Sequence, residues 1–308
     1  MILCCGEALI DMIPEETGTG VEAYVPHAGG AVFNTAIALG RLGRPVSLFS
    51  GISTDLFGTQ LQAALKASHV EDRYLALSDR PTTLAFVKLE DGHAKYAFYD
   101  ENTAGRLLGT AAIPDLSDDV SALFFGGISL ACEPCADTYQ EVLARAHKTR
   151  AIIMDPNIRP GFASDPQRYR ARLMEMLSRA DLVKVSDEDL AWIIPEEQDP
   201  IAQANALQAM GPSVVLVTRG AEGALGLLPD GQSVEVPAEP AIVADTVGAG
   251  DTFNAGAMAR LDELGLLSKP ALRCLSPDAL QQALAYGAKV AAITVARPGA
   301  NPPWASEL

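Results

Sequence analysis

Short, almost uninterrupted apolar runs recur along this chain, and they restrict its fold more than any other feature. They are Ile2–Cys5, Val46–Ser50, Ala122–Phe125, Ala151–Met154, Leu182–Val185 and Val214–Val217. A strand that is apolar at every position has no face left for water, so it belongs in a sheet covered on both sides. Helical patterns lie between the runs, near 31–43, 55–68, 134–148, 166–179 and 201–210. This alternation predicts an α/β fold of three layers, with helices on both faces of a mainly parallel central sheet. A late hairpin, Ala224–Leu228 with Val234–Val236, is expected to extend that sheet.

One part of the chain departs from the pattern. Thr82–Leu89 and Ala94–Tyr99 read as strands joined through Asp91-Gly92, a strong hairpin signal, and residues 12–28 read as extended chain. The two segments, roughly 12–28 and 82–104, predict a small β-sheet lid on a single domain spanning residues 1–308. Such a lid can cover a site or hide an apolar face in an interface.

Composition narrows the partners. The 308 residues carry 23 basic and 39 acidic side chains, a net charge of −16, and no run of Lys and Arg. Binding to nucleic acid or to an anionic membrane by counterion release is therefore not expected. The N-terminus has no basic region ahead of its apolar stretch, and Glu7 and Asp11 interrupt it, so a cytoplasmic location is expected. Of five cysteines, Cys132 and Cys135 have redox spacing, but without a second pair they read as packed thiols.

Ligands of open parallel sheets bind where the carboxyl ends of the strands release their loops. Asp155, Asn157 and Arg159 crowd an acid, an amide and a guanidinium after one apolar run; Thr218, Gly220 and Gly223 follow another. The first set suits a phosphorylated or metal-linked ligand, and the second suits nucleotide phosphates or ribose. Gly29 and Gly30 precede a helix carrying Asn34, whose amide can both donate to and accept from hydroxyls; read alone, this is also an ordinary glycine turn. Asp11 could bind two vicinal hydroxyls, or be a surface acid beside Pro14.

The run D-T-V-G-A-G-D-T-F-N-A-G at 245–256 says most about chemistry. Gly248, Ala249 and Gly250 form a turn that opens a helix, whose first amides are free to meet an anion. Asp251 at that mouth would repel a phosphate, unless it takes the proton of a hydroxyl that attacks it. The same run also reads as a helix start with a stabilising acid in its first turn. No G-x-x-x-x-G-K-[ST] loop is present, and the Gly18-x-Gly20 mimic of a dinucleotide fingerprint does not follow a strand, which argues against a dehydrogenase.

Taken together, the Gly29–Gly43 and Asp245–Gly256 segments resemble the two signatures of the ribokinase-like (PfkB) carbohydrate kinases, and the likeness runs nearly end to end. Within the family, F-Y-D-E-N-T-A-G-R at 98–106, D-P-N-I-R-P at 155–160 and V-K-V-S-D-E-D at 183–189 are most similar to bacterial fructokinases. The resemblance implies an ATP-dependent sugar kinase acting on D-fructose, with ribose or 2-keto-3-deoxygluconate as alternative acceptors and a non-catalytic sugar-binding regulator as a more distant one. It implies Asp251 as the base, with Gly248, Ala249 and Gly250 as the anion hole. Asp11, Gly29, Gly30, Asn34, Asn102, Arg106 and Arg159 would hold the sugar. Lys184, Ser186, Thr218, Gly220 and Gly223 would face the nucleotide, and Gly287 and Ala288 would lie near adenine. Asp189 would orient magnesium-bound water, Asp245 and the Val247 carbonyl would match a monovalent-cation (K⁺) site, and the lid would form a homodimer.

Three positions depart from the family's pattern. Ser186-Asp-Glu-Asp189 replaces an Asn-x-x-Glu run, Ala288 replaces an Asn near adenine, and Pro303 stands where some relatives place a cation-binding hydroxyl.

Overall fold

Asp181, just ahead of a buried strand, accepts the amide of Ile152 at 2.9 Å and the Lys269 ammonium at 2.6 Å, tying a short helix to the amino ends of two central strands of a large sheet. A computed structural model describes the backbone of residues 1–90 and 93–308; the expected Asp91-Gly92 turn lies outside the described residues. Among those residues the large sheet has eight strands. Six are parallel: β1 (Ile2–Cys5), β4 (Val46–Phe49), β9 (Ala122–Gly126), β10 (Ala151–Asp155), β11 (Leu182–Ser186) and β12 (Val214–Thr218). β13 (Ala224–Leu227) and β14 (Ser233–Val236) extend it antiparallel beyond β12, as the late hairpin predicts.

Alternation along each strand divides the core in two. Ile2 and Cys4 pack with α1 (Ala31–Arg41), α2 (Leu56–Ala67), α7 (Ala249–Glu263), α8 (Lys269–Leu272) and α9 (Pro277–Val295). Leu3 and Cys5 pack with α3 (Cys135–Ala146), α4 (Pro166–Leu177), α5 (Asp187–Ile193) and α6 (Pro200–Ala209). Both faces are covered, which is why these strands tolerate no polar alternation. Cys132 and Cys135 lie in the second core, and burial pushes the Cys135 thiol up to about 12, so the pair is packing rather than redox chemistry.

A separate four-stranded sheet has the order β3-β2-β7-β8. It comprises β2 (Leu9–Glu16), β3 (Glu22–Gly29), β7 (Leu84–Glu90) and β8 (His93–Tyr99), and a two-stranded sheet pairs β5 (Gly51–Ser53) with β6 (Ala76–Ser78). The first strand of the small sheet starts at Leu9 rather than at residue 12, because Leu9 and Ile10 are buried where it leaves the core.

Asp55, Asp165, Asp199 and Ser276 each accept a first-turn amide of the helix that follows. Gly30 and Gly248, which precede α1 and α7, supply no side-chain cap, and neither do Pro134 before α3 and Ser268 before α8.

Candidate active site

The starts of α1 and α7 meet at the carboxyl edge of the parallel strands, beside a cavity of about 1060 Å³. Gly248 stands in the left-handed region at φ 78°, and a Cβ there would lie 2.6 Å from that of Ala300. Only glycine fits, and its turn presents Gly248, Ala249 and Gly250 to the cavity. Amides of a helix's first turn have no partners within the helix and carry the positive end of its dipole. Such an arrangement can cradle an anion, with the Ala249 amide also 3.3 Å from the Thr246 carbonyl.

Asp251, in the same turn, is 8% exposed. Its Oδ2 accepts the Asn34 side-chain amide at 2.9 Å, and its backbone carbonyl lies 3.2 Å from the Thr35 hydroxyl, which it shares with the Ala31 carbonyl at 3.0 Å. No protein donor among the described contacts reaches its Oδ1, so that oxygen is available to a ligand hydroxyl. Burial raises its pKa to about 7 against the opposing Asn34 hydrogen bond; the charges of Asp155 and Glu7 add to the rise and that of Lys184 reduces it. A carboxyl balanced near neutrality is suited to accept a proton.

Lys184, on β11, is nearly buried and pairs with Asp155 Oδ2 at 3.1 Å. Its ammonium lies 3.0 Å from where a Cβ on Gly250 would stand, so it adds a fixed positive charge beside the cradle. Asp155 Oδ2 also accepts Asn254 Nδ2 at 2.6 Å, while its Oδ1 is buried with no partner among the described residues. Ser186 caps α5 by accepting the Asp189 amide at 3.0 Å, and Asp189 Oδ1 accepts the Ile158 amide at 3.0 Å. Desolvation, followed by the charge of Asp155, raises the Asp189 carboxyl above its ordinary range.

On the opposite flank Asp11 projects from β2 into the cavity, and desolvation raises its pKa to about 6. Gly29, its neighbour on β3, does not line the cavity; any Cβ there would strike the Asp11 carboxylate, so glycine makes room for the acid. Gly30, Asn34, Arg106 and Arg159 do line it. Arg106 is bound to Asp100 Oδ2 at 2.6 Å, whereas the hydrogen bond described for Arg159 goes to its neighbour's carbonyl, from Nη1 to Ile158 at 2.9 Å. Phe98 of β8 meets Phe162 edge-on at 4.4 Å, so the small sheet touches the loop after β10.

Several expected site residues lie outside the lining of this cavity. Asn102 is an exposed turn residue at φ 59° and does not line the cavity. Nor do Gly220 and Gly223; a Cβ on Gly223 would strike the Val236 carbonyl, so strand packing accounts for that glycine. Gly287 lies where α9 crosses α7, its Cα 2.8 Å from the position of a Cβ on Gly256, and Ala288 packs on the core. Asp245 sits behind the cradle and accepts the amides of Val247 at 3.0 Å and Gly299 at 2.9 Å, which shapes the loop carrying Val247 at the cavity wall. Thr218 lines the wall, as do Phe98 and Asp100, which lie in the 98–106 run without an assigned role, and Glu7, which no motif contains.

The sequence and the fold are matched among known proteins. The family described as pfkB family carbohydrate kinase matches residues 1–307. The chain belongs to that family. This carbohydrate kinase is 51% identical over 282 residues to a fructokinase of Rhizobium leguminosarum bv. trifolii, covering 91% of this chain and 86% of that protein. The crystal structure of a fructokinase with bound ATP from Xylella fastidiosa superposes with a TM-score of 0.89 at 30% identity, over 97% of this chain and 93% of the other. A Vibrio cholerae O395 fructokinase double mutant in fructose, ADP and potassium ion bound form gives 0.85 at 26% identity, again over 97% and 93%. The kinase therefore has the ribokinase-like three-layer fold that its signatures imply.

Proposed function

We propose that this kinase transfers the γ-phosphoryl group of ATP to the 6-hydroxyl of D-fructose, giving D-fructose 6-phosphate and ADP. The observation that carries the reading is Asp251, with one oxygen held by Asn34 and the other open to a cavity shared with Asp11, Lys184 and the amides of α7. The sugar oxygen attacks the γ-phosphorus as the bond to the β-phosphate oxygen breaks, and Asp251 takes the hydroxyl proton. The α7 amides and Lys184 offset charge on the transferring group, while Asp11, Gly30 and Arg159 orient the sugar. The small sheet acts as a lid that excludes water.

The cavity lining supports a metal-dependent reaction. Glu7, Asp11, Asp100, Glu188, Asp189 and Asp251 face only Arg106, Arg159 and Lys184, so a polyphosphate needs an accompanying cation to enter. Asp189, desolvated and opposed by Asp155, fits the task of holding the water shell of Mg²⁺, which would neutralise phosphate charge. Asp245 and the Val247 carbonyl suit K⁺, the ion named for the Vibrio protein. No helix among the described residues is long and apolar enough to cross a membrane, which fits a cytoplasmic enzyme.

Likeness to the Rhizobium fructokinase favours fructose. Arg159, which has no described ion pair with an acid, is the feature that favours an acidic sugar such as 2-keto-3-deoxygluconate. Coupled ADP release measured across fructose, ribose and 2-keto-3-deoxygluconate is expected to give the highest kcat/KM with fructose. A higher value with either other sugar would overturn the choice of acceptor, and no ADP release with any of them would overturn the kinase reading.

The lid also suits a homodimer. Tyr24 meets Phe86 at 5.1 Å and Phe86 meets Tyr99 at 5.4 Å, and Tyr99 is 63% exposed, an aromatic face with little cover in the single chain. Sedimentation velocity is expected to show a dimer that Tyr99→Glu dissociates; a wild-type monomer at high concentration would remove the dimer.

A further inference from the structure

Glu7 lies just beyond β1 and lines the cavity, although neither signature contains it. Its Oε1 accepts the amide of Ala31 at 3.0 Å, and its Oε2 accepts that of Ser129 at 3.2 Å. Ala31 is the first residue of α1, the helix that begins at Gly30 with no side-chain cap. Ser129 belongs to the short turn Ile128–Leu130 that follows β9. One carboxylate thus joins the segments after β1 and β9 to the start of α1, and caps α1 from a distant part of the chain.

The first turns of α1 carry Asn34, which donates to the Asp251 carboxylate, and Thr35, whose hydroxyl lies between the Ala31 and Asp251 carbonyls. We propose that Glu7 is a positioning residue for phosphoryl transfer: by bridging the Ala31 and Ser129 amides it fixes the start of α1, from which Asn34 orients the base. This rests on the reading of Asp251 as that base. A carboxylate suits the junction better than an amide does. Both of its oxygens accept, whereas a glutamine would turn its own N–H₂ toward one of the two donors. Its negative charge also favours the helix start.

Glu7 has a second effect on the base. The groups that face Asp251 are Glu7 after β1, Asp155 on β10, Lys184 on β11 and Asn34 on α1, and the Glu7 charge helps to raise the affinity of Asp251 for its proton. Loss of that charge should therefore make Asp251 more acidic, an effect that loss of fold stability alone would not produce.

The test compares full-length wild type, Glu7→Gln and Ala31→Pro for kcat, for the pH profile of kcat/KM and for melting temperature. Proline is well tolerated at the first position of a helix, so Ala31→Pro removes one of the two donors while keeping α1. Glu7→Gln is expected to lower kcat about tenfold or more by misplacing the base, and to move the acid limb of kcat/KM down by about half a pH unit. Ala31→Pro is expected to lower kcat in the same sense. Folded Glu7→Gln with wild-type kcat and an unmoved acid limb would overturn the proposal. If Glu7→Gln does not fold, Ala31→Pro decides: folded protein with wild-type kcat overturns it, and reduced kcat at an unchanged melting temperature supports it. Wild type assayed in parallel separates the two readings, since an inactive wild type would sink the kinase assignment and not this role of Glu7.

Discussion

Asp251→Asn is expected to lower kcat by about three powers of ten, to leave fructose affinity largely intact, and to make the folded protein more stable above pH 7. The first two effects follow from geometry. The substituted amide can still accept from Asn34 through its oxygen, but it turns an N–H₂ toward the cavity where Oδ1 would have taken the proton. The stability gain follows from the raised pKa. With its folded-state pKa near 7, Asp251 holds a proton between about pH 4 and pH 7 that the unfolded chain has already released. Stability therefore falls as pH rises through that window, and above it the cost of a buried charge is fully present, on the order of a few kcal/mol. The asparagine variant lacks that charge, so its melting temperature should exceed the wild type's at pH 8 and fall below or converge with it near pH 4. In the wild type, kcat/KM should show an acid limb with its midpoint near 7. Fructose affinity lost in proportion to turnover would make Asp251 a binding residue, and a variant less stable at pH 8 would contradict the account of its burial.

This opposition between stability and activity also explains which parts of the molecule its sequence discloses. Strands such as Ile2–Cys5 are legible because both faces are buried and every position answers to one force, the exclusion of apolar surface from water. The cradle is legible because a glycine at φ 78°, followed by a helix without a cap, has a distinctive local signature. Glu7 has no such signature. It looks like a surface acid after a strand, and its role depends on amides 24 and 122 positions away that only the folded chain brings to it. Gly287, which the family resemblance places near adenine, has a packing role that only the fold discloses, since a side chain there would meet Phe253 where α9 crosses α7. Asn102 is similar, since a left-handed turn accounts for an asparagine without any ligand. Legibility is thus high where sequence-local physics decides, and low where packing and binding favour the same residue type.

Lys184→Met carries the other large expected effect, because Lys184 is both part of the site and the partner of a buried acid. Removing the ammonium leaves the Asp155 carboxylate, 3% exposed, with Asn254 as its described partner and with Oδ1 already unpaired. An uncompensated buried charge of this kind costs about 3–5 kcal/mol. Removing one fixed positive group beside the transferring phosphoryl should separately lower kcat by about two to three powers of ten. The two effects can be told apart by adding Asp155→Asn. An asparagine there can still accept from Asn254 and carries no charge to strand, so the double variant should regain most of the lost stability. It should not regain turnover, because the cradle still lacks its ammonium. Denaturant unfolding and steady-state kinetics on the single and double variants read the two effects independently. If turnover returned along with stability, Lys184 would serve only to neutralise Asp155, and the cradle would work through its amides and the accompanying cation alone.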